Sequence, residues 1–105
     1  METRFGPAVA IERVQTGVRM EKRILKVLKG LAEYLDISLG DLLEGISLHV
    51  FEGQAPFSPP TLERIAGLKK VYGLDLTAKH SHRLVEAGEV AAAKRAPRKQ
   101  RSGKR

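Results

Sequence analysis

The sequence predicts a mainly α domain that opens on one β-strand, and three observations carry that reading. Residues 13–20 alternate, with Val14, Thr16, Val18 and Met20 on one parity and Arg13, Gln15, Gly17 and Arg19 on the other. From Glu21 the apolar spacing changes to that of a helix, and no later stretch repeats the alternation. Period 2 with β-branched residues marks a half-buried strand, although Gly17 weakens it; recurrence at three and four residues marks the buried stripe of a helix.

The elements follow in order. Residues 1–12 read as a flexible lead-in punctuated by Gly6-Pro7. After the strand, Ile24, Leu28, Leu31 and Leu35, flanked by Val27 and Ala32, form one helical stripe, and Lys22, Arg23, Lys26 and Lys29 lie mostly outside it. Asp36-Ile37-Ser38 interrupts that helix, and either Ser38 or Asp36 supplies the N-cap of the next. Leu39, Leu42, Leu43, Ile46 and Val50 give a second stripe that fades at Phe51-Glu52-Gly53. Ser58-Pro59-Pro60 is a cap followed by proline in a first turn, where a missing amide hydrogen costs least. The third helix continues through Leu62, Ile65, Ala66, Leu68 and Tyr72 to Gly73. Asp75 or Thr77 opens a short fourth helix through Leu84 and Val85, ending near Gly88. The helical extension is placed at residues 53–90. Residues 91–105 hold almost no apolar side chain beyond alanine and are expected to be a disordered basic tail.

Composition bounds the function. The chain of 105 residues has room for one sizeable core, and with no cysteine it has neither a disulfide scaffold nor a thiolate nucleophile nor a cysteine-ligated zinc. No run approaches the ~18 apolar residues of a membrane span, and no apolar stretch of signal-peptide length follows the first charges. A cytoplasmic protein with no membrane partner is expected. The net charge of +7 resides in the tail, where Lys94, Arg95, Arg98, Lys99, Arg101, Lys104 and Arg105 face no acid. The body is neutral but uneven. Six basic residues face only Glu21 between Arg13 and Lys29. Six acids and no Lys or Arg lie between Leu31 and Glu63, and Arg64 to Arg83 is basic again. A polyanion is drawn to the first block and the tail and repelled by the middle.

A lone strand leaves its backbone donors and acceptors without partners. An identical second copy would solve this, since two such strands pair antiparallel around a two-fold axis and bury Val14, Val18 and Met20. Leu28, Leu31, Leu42 and Ile46 would complete that dimer core. A homodimer is therefore expected from hydrogen-bond accounting.

The run from Val14 to Ile46 resembles the ribbon-helix-helix domain of the Arc and Met repressor class. The shared features are an alternating strand ending in a large apolar residue (Met20), a charged first helix with Leu31-Ala32, a hydroxyl residue in a short turn (Ser38), and a second apolar helix. The resemblance covers residues 13–52 and implies an intertwined homodimer, with one or two extra helices behind it. It implies a sequence-specific, repressor-like transcriptional regulator, placed on the bacterial nucleoid, whose two-stranded ribbon enters the major groove of double-stranded DNA. Carried over by position, Gln15, Gly17 and Arg19, with Arg13 at the edge, face the bases. Arginine suits guanine acceptors and glutamine suits adenine. The start of the second helix, near Ser38, Leu39 and Gly40, would hold a phosphate, and Lys22 and Arg23 lie close enough to the ribbon to join it. Gly17 leaves a bare spot in that face and Asp41 would repel a phosphate, so more reliance falls on Arg13, Arg19, Lys22 and the tail.

Plainer readings stand beside these. The strand's polar face could also be a solvated face, the basic face of the first helix reads as a solubility surface ahead of a groove reader, and the tail, read first as a non-specific phosphate binder, could instead be a solubilising extension. His80 and His82 point apart on a helix and lack a carboxylate at ligand spacing, and His49 reads as a surface or partly buried histidine. Ser58, Thr61 and Thr77 read as caps rather than nucleophiles, since nothing supplies a base at readable spacing. No enzymatic activity, cofactor or metal is expected. The alternative to a regulator is a dimeric protein-interaction or antitoxin-like module with a protein partner on residues 53–90 and non-specific nucleic-acid binding through the tail.

Overall fold

Local chemistry sets each helix boundary. The computed structural model describes residues 6–88. Glu21 precedes α1 (Lys22–Leu35), and its carboxylate accepts the Ile24 N–H at 2.9 Å. α1 stops at Asp36, which turns left-handed with φ 60° and donates its N–H to the carbonyls of Ala32 and Glu33. Aspartate tolerates that conformation better than most residues. Ser38 then caps α2 (Leu39–Phe51), its Oγ accepting the Asp41 N–H at 3.0 Å. α3 (Pro59–Tyr72) begins with its two prolines and closes on Gly73, where φ 65° suits a residue without Cβ.

The small core is built around α1. Leu31 is 1% exposed, and Val27, Ala32 and Leu42 are also buried. Leu28, Leu35, Ile37, Leu39, Ile46, Phe57, Ile65 and Leu68 pack half-buried around Leu31, Ala32 and Leu42. α1 is the element against which both α2 and α3 pack. The α1–α3 pair runs antiparallel: Arg23 reaches Gly73, Lys26 lies over Tyr72, Gly30 meets Leu68, and Tyr34 lies under Arg64. Gly30 permits the closest approach, since a Cβ there would stand 2.9 Å from a Leu68 methyl. The chain divides into two units at the Gly73–Leu74 junction.

The mainly α class stands, but the expected ribbon-helix-helix architecture is not seen. Among the described residues there is no strand, so the ribbon expected to pair with a symmetry mate in an intertwined homodimer is not seen. Residues 8–20 lack regular secondary structure and are exposed throughout. A strand exists only where its backbone joins a ladder, and the described residues offer no second strand for residues 13–20 to join. Alternation alone does not make one. Val14 and Val18 are 81% and 75% exposed in the single chain, and Met20 is exposed as well. Leu28, Leu31, Leu42 and Ile46 lie instead in or against the chain's own core.

The fourth helix contracts to a single 3₁₀ turn, Ala78–His80. Thr77 opens it as a capping box: its Oγ1 accepts the Lys79 N–H, and the His80 Nδ1 accepts the Thr77 N–H at 2.9 Å. His82 turns left-handed, φ 65°, which stops any continuation. No helix among the described residues is long and apolar enough to cross a membrane.

Because Leu31 is enclosed by all the packing that α1 organises, Leu31→Ala is expected to lower unfolding free energy by about 2–5 kcal/mol. Urea unfolding followed by circular dichroism should show a lower midpoint at an unchanged slope.

Candidate nucleic-acid interface

The residues expected to face the bases, with Lys22 and Arg23, lie on one continuous stretch from the N-terminal segment into the first turn of α1. Gln15 is exposed, and a side chain at Gly17 would meet nothing within 4 Å. Arg19 and Lys22 are exposed. Among the described residues, no backbone–backbone hydrogen bond ties down residues 7–18.

Arg13 and Arg23 each hold a carboxylate within the chain. Arg13 forms a bidentate pair with Glu44 on α2, its Nε and NH2 donating to the two carboxylate oxygens at 2.7 Å each. This pair fastens the segment to α2, and both side chains are solvent-exposed, so water and salt compete for it. Arg23 is half-buried: it donates to the Glu21 carboxylate at 3.0 Å and to the Gly73 carbonyl at 3.0 Å. Glu21 is held below its usual carboxylate range, chiefly by the Ile24 amide that it accepts and further by Arg23. Arg23 thus bridges the start of α1 to the end of α3, a structural duty alongside any contact with a phosphate.

The start of α2 is more crowded than the sequence implied. Ser38 Oγ is taken by the Asp41 amide, Leu39 packs against the core, and Asp41 sits in the first turn. Gly40 is exposed. An anion here would meet amide hydrogens and the positive end of the helix, but also the Asp41 carboxylate. The tail residues Lys94, Arg95, Arg98, Lys99, Arg101, Lys104 and Arg105 lie outside the described residues.

Other features were not legible in the sequence. Arg64 stacks over Tyr34 with its guanidinium 4.2 Å from the ring centroid. Tyr34, Pro60, Arg64, Gly67 and Val71 edge an open cleft of about 470 Å³ along the α1–α3 seam. The Tyr34–Arg64 pairing joins residues far apart in the sequence, and no local spacing rule reveals it. His49 Nδ1 bonds the Gly45 carbonyl at 2.7 Å on its own helix. Among the described residues, no group of three or more His, Cys, Asp or Glu side chains is gathered to hold a metal.

Comparison with known families, curated proteins and solved structures finds no match for this chain.

The Arg13–Glu44 pair gives a pH-dependent attachment. Hydrogen bonds from Arg13 hold the Glu44 carboxyl below its ordinary value of 4.5. A depressed carboxylate pKa means the attachment is complete above the ordinary value and is lost as pH falls through the depressed one. Amide relaxation should show residues 8–20 becoming more mobile through that acid range, and Glu44→Gln should reproduce the acid behaviour at neutral pH.

Proposed function

We propose that this protein is a DNA-binding regulator that acts as a homodimer and contacts the duplex through its N-terminal segment. The observation that carries the reading is the exposed stretch of residues 8–20, which bears Arg13, Gln15 and Arg19 and leads directly into the cationic start of α1. Arginine and glutamine are side chains suited to base edges, and an arm ordered on DNA by such residues needs no regular structure beforehand. The binding surface here is an arm and not a paired ribbon. Arg13 would exchange its Glu44 partner for an acceptor on the duplex.

Homodimerisation is supported by the balance of buried and exposed apolar surface. Four hydrophobic side chains are buried among the described residues, whereas Val14, Val18, Leu48, Val50 and Phe51 are each more than half exposed. Isolated exposed hydrophobics are ordinary, but Leu48 and Phe51, three residues apart, share one side of the last turn of α2. A second copy that covers them gives the pair a shared core, and a two-fold dimer presents two arms to two half-sites.

Selection of bound duplexes from a random pool tests this reading. The full chain should enrich a two-fold symmetric consensus. Arg19→Ala should weaken binding to it by about 1–3 kcal/mol and relax preference at the matching positions. Equal affinity and equal preference in the variant would remove the arm from the interface.

A further inference from the structure

Two basic stretches that lie far apart in the sequence meet at one end of the antiparallel α1–α3 pair. Lys22, Arg23 and Lys26 come from the start of α1, and Lys69 and Lys70 from the last turn of α3. The Arg23 bond to the Gly73 carbonyl fixes that juxtaposition, with Lys26 over the Tyr72 ring at 6.0 Å. Glu21, at the start of α1, is committed to the Ile24 amide and to Arg23. Toward the opposite end of the pair lie Glu33 and Asp36 at the end of α1 and Glu63, beside Arg64 in sequence, near the start of α3. Unit charges are therefore sorted along the length of the pair.

Helix electrostatics alone does not account for the sorting. Lys69 and Lys70 sit at a helix C-terminus, where the macrodipole favours cations. Lys22 and Arg23 sit in the first turn of α1, where it penalises them, and no acid accompanies them in that turn. Arg23 is offset inside the fold by Glu21 and by the Gly73 carbonyl, which leaves Lys22 as the first-turn cation that a phosphate outside the fold would offset.

We propose that this end of the α1–α3 pair is a second DNA-contacting surface, which binds the phosphate backbone of the duplex flanking the site that the arm occupies. The proposal rests on the DNA reading above and extends it to α3, a helix that reading does not use. Lysines serve phosphates as point charges without base preference, so this surface adds affinity and orientation and leaves selectivity to the arm. Each neutralised phosphate releases counterions, which makes the contribution visible as salt dependence.

The test uses the full chain and duplexes with and without the selected consensus, titrated over a range of salt. The paired substitution Lys69→Gln with Lys70→Gln should weaken binding to both duplexes by the same factor. It should also make the slope of log affinity against log salt shallower by ~0.9 for each lysine that meets a phosphate. Lys22→Gln with Lys26→Gln should act in the same way, and Arg64→Gln at the acidic end should leave the slope unchanged. Circular dichroism of each variant separates a lost contact from a lost fold. An unchanged slope in both lysine pairs, while the parent retains an Arg19-dependent preference, overturns this surface and leaves the arm standing. An equal loss of slope in Arg64→Gln reduces the effect to net charge and also overturns it. A parent chain that retards no duplex at low salt removes the arm and this surface together.

Discussion

α1 must serve two partners at once, and the rest of the structure depends on how it does so. One side carries Leu28, Leu31, Ala32 and Leu35 into the core with α2, and another carries Arg23, Gly30 and Tyr34 along α3. Its remaining side is left to Lys22, Lys26 and Lys29, which are exposed. A helix used in this way can hold two others but encloses little volume, and among the described residues only Leu31 reaches full burial. Each fully buried aliphatic side chain contributes ~1.5–3 kcal/mol, whereas fixing one residue's backbone costs ~1–2 kcal/mol. Four buried side chains among the described residues make a modest core, and the proposed second copy answers that shortage directly.

The helices were legible because their signals are local. Ser38 and the Pro59-Pro60 pair mark starts, Gly73 marks an end, and the stripe through Leu28, Leu31 and Leu35 announces the buried side of α1. The strand was not, because strand identity resides in a partner and not in the alternating segment itself. Residues 13–20 carry the side-chain pattern of a strand without a ladder to join among the described residues. The fourth helix fell short for a different reason: a left-handed turn at His82 ends what Thr77 begins. Nothing in a neutral reading of histidine announces that turn.

The candidate interface was legible in composition and not in geometry. Counting charges isolates the basic blocks, yet it leaves open that Arg13 is held by Glu44 or that Arg23 spans two helices. Both contacts cross more than thirty residues, and the Arg23 contact arises from the packing of α1 on α3. The same packing gathers the lysines of α3 beside those of α1 while the acids collect at the far end. Charge that looks scattered along the sequence is polarised in space, which is the arrangement that orients a protein on a polyanion.

Sedimentation equilibrium of the full chain over a wide concentration range shows whether a second copy makes good the shortage of buried apolar surface. A species of twice the 11.6 kDa chain mass is expected, dissociating on dilution with loss of helical signal. A fully helical monomer that persists at every concentration would contradict it.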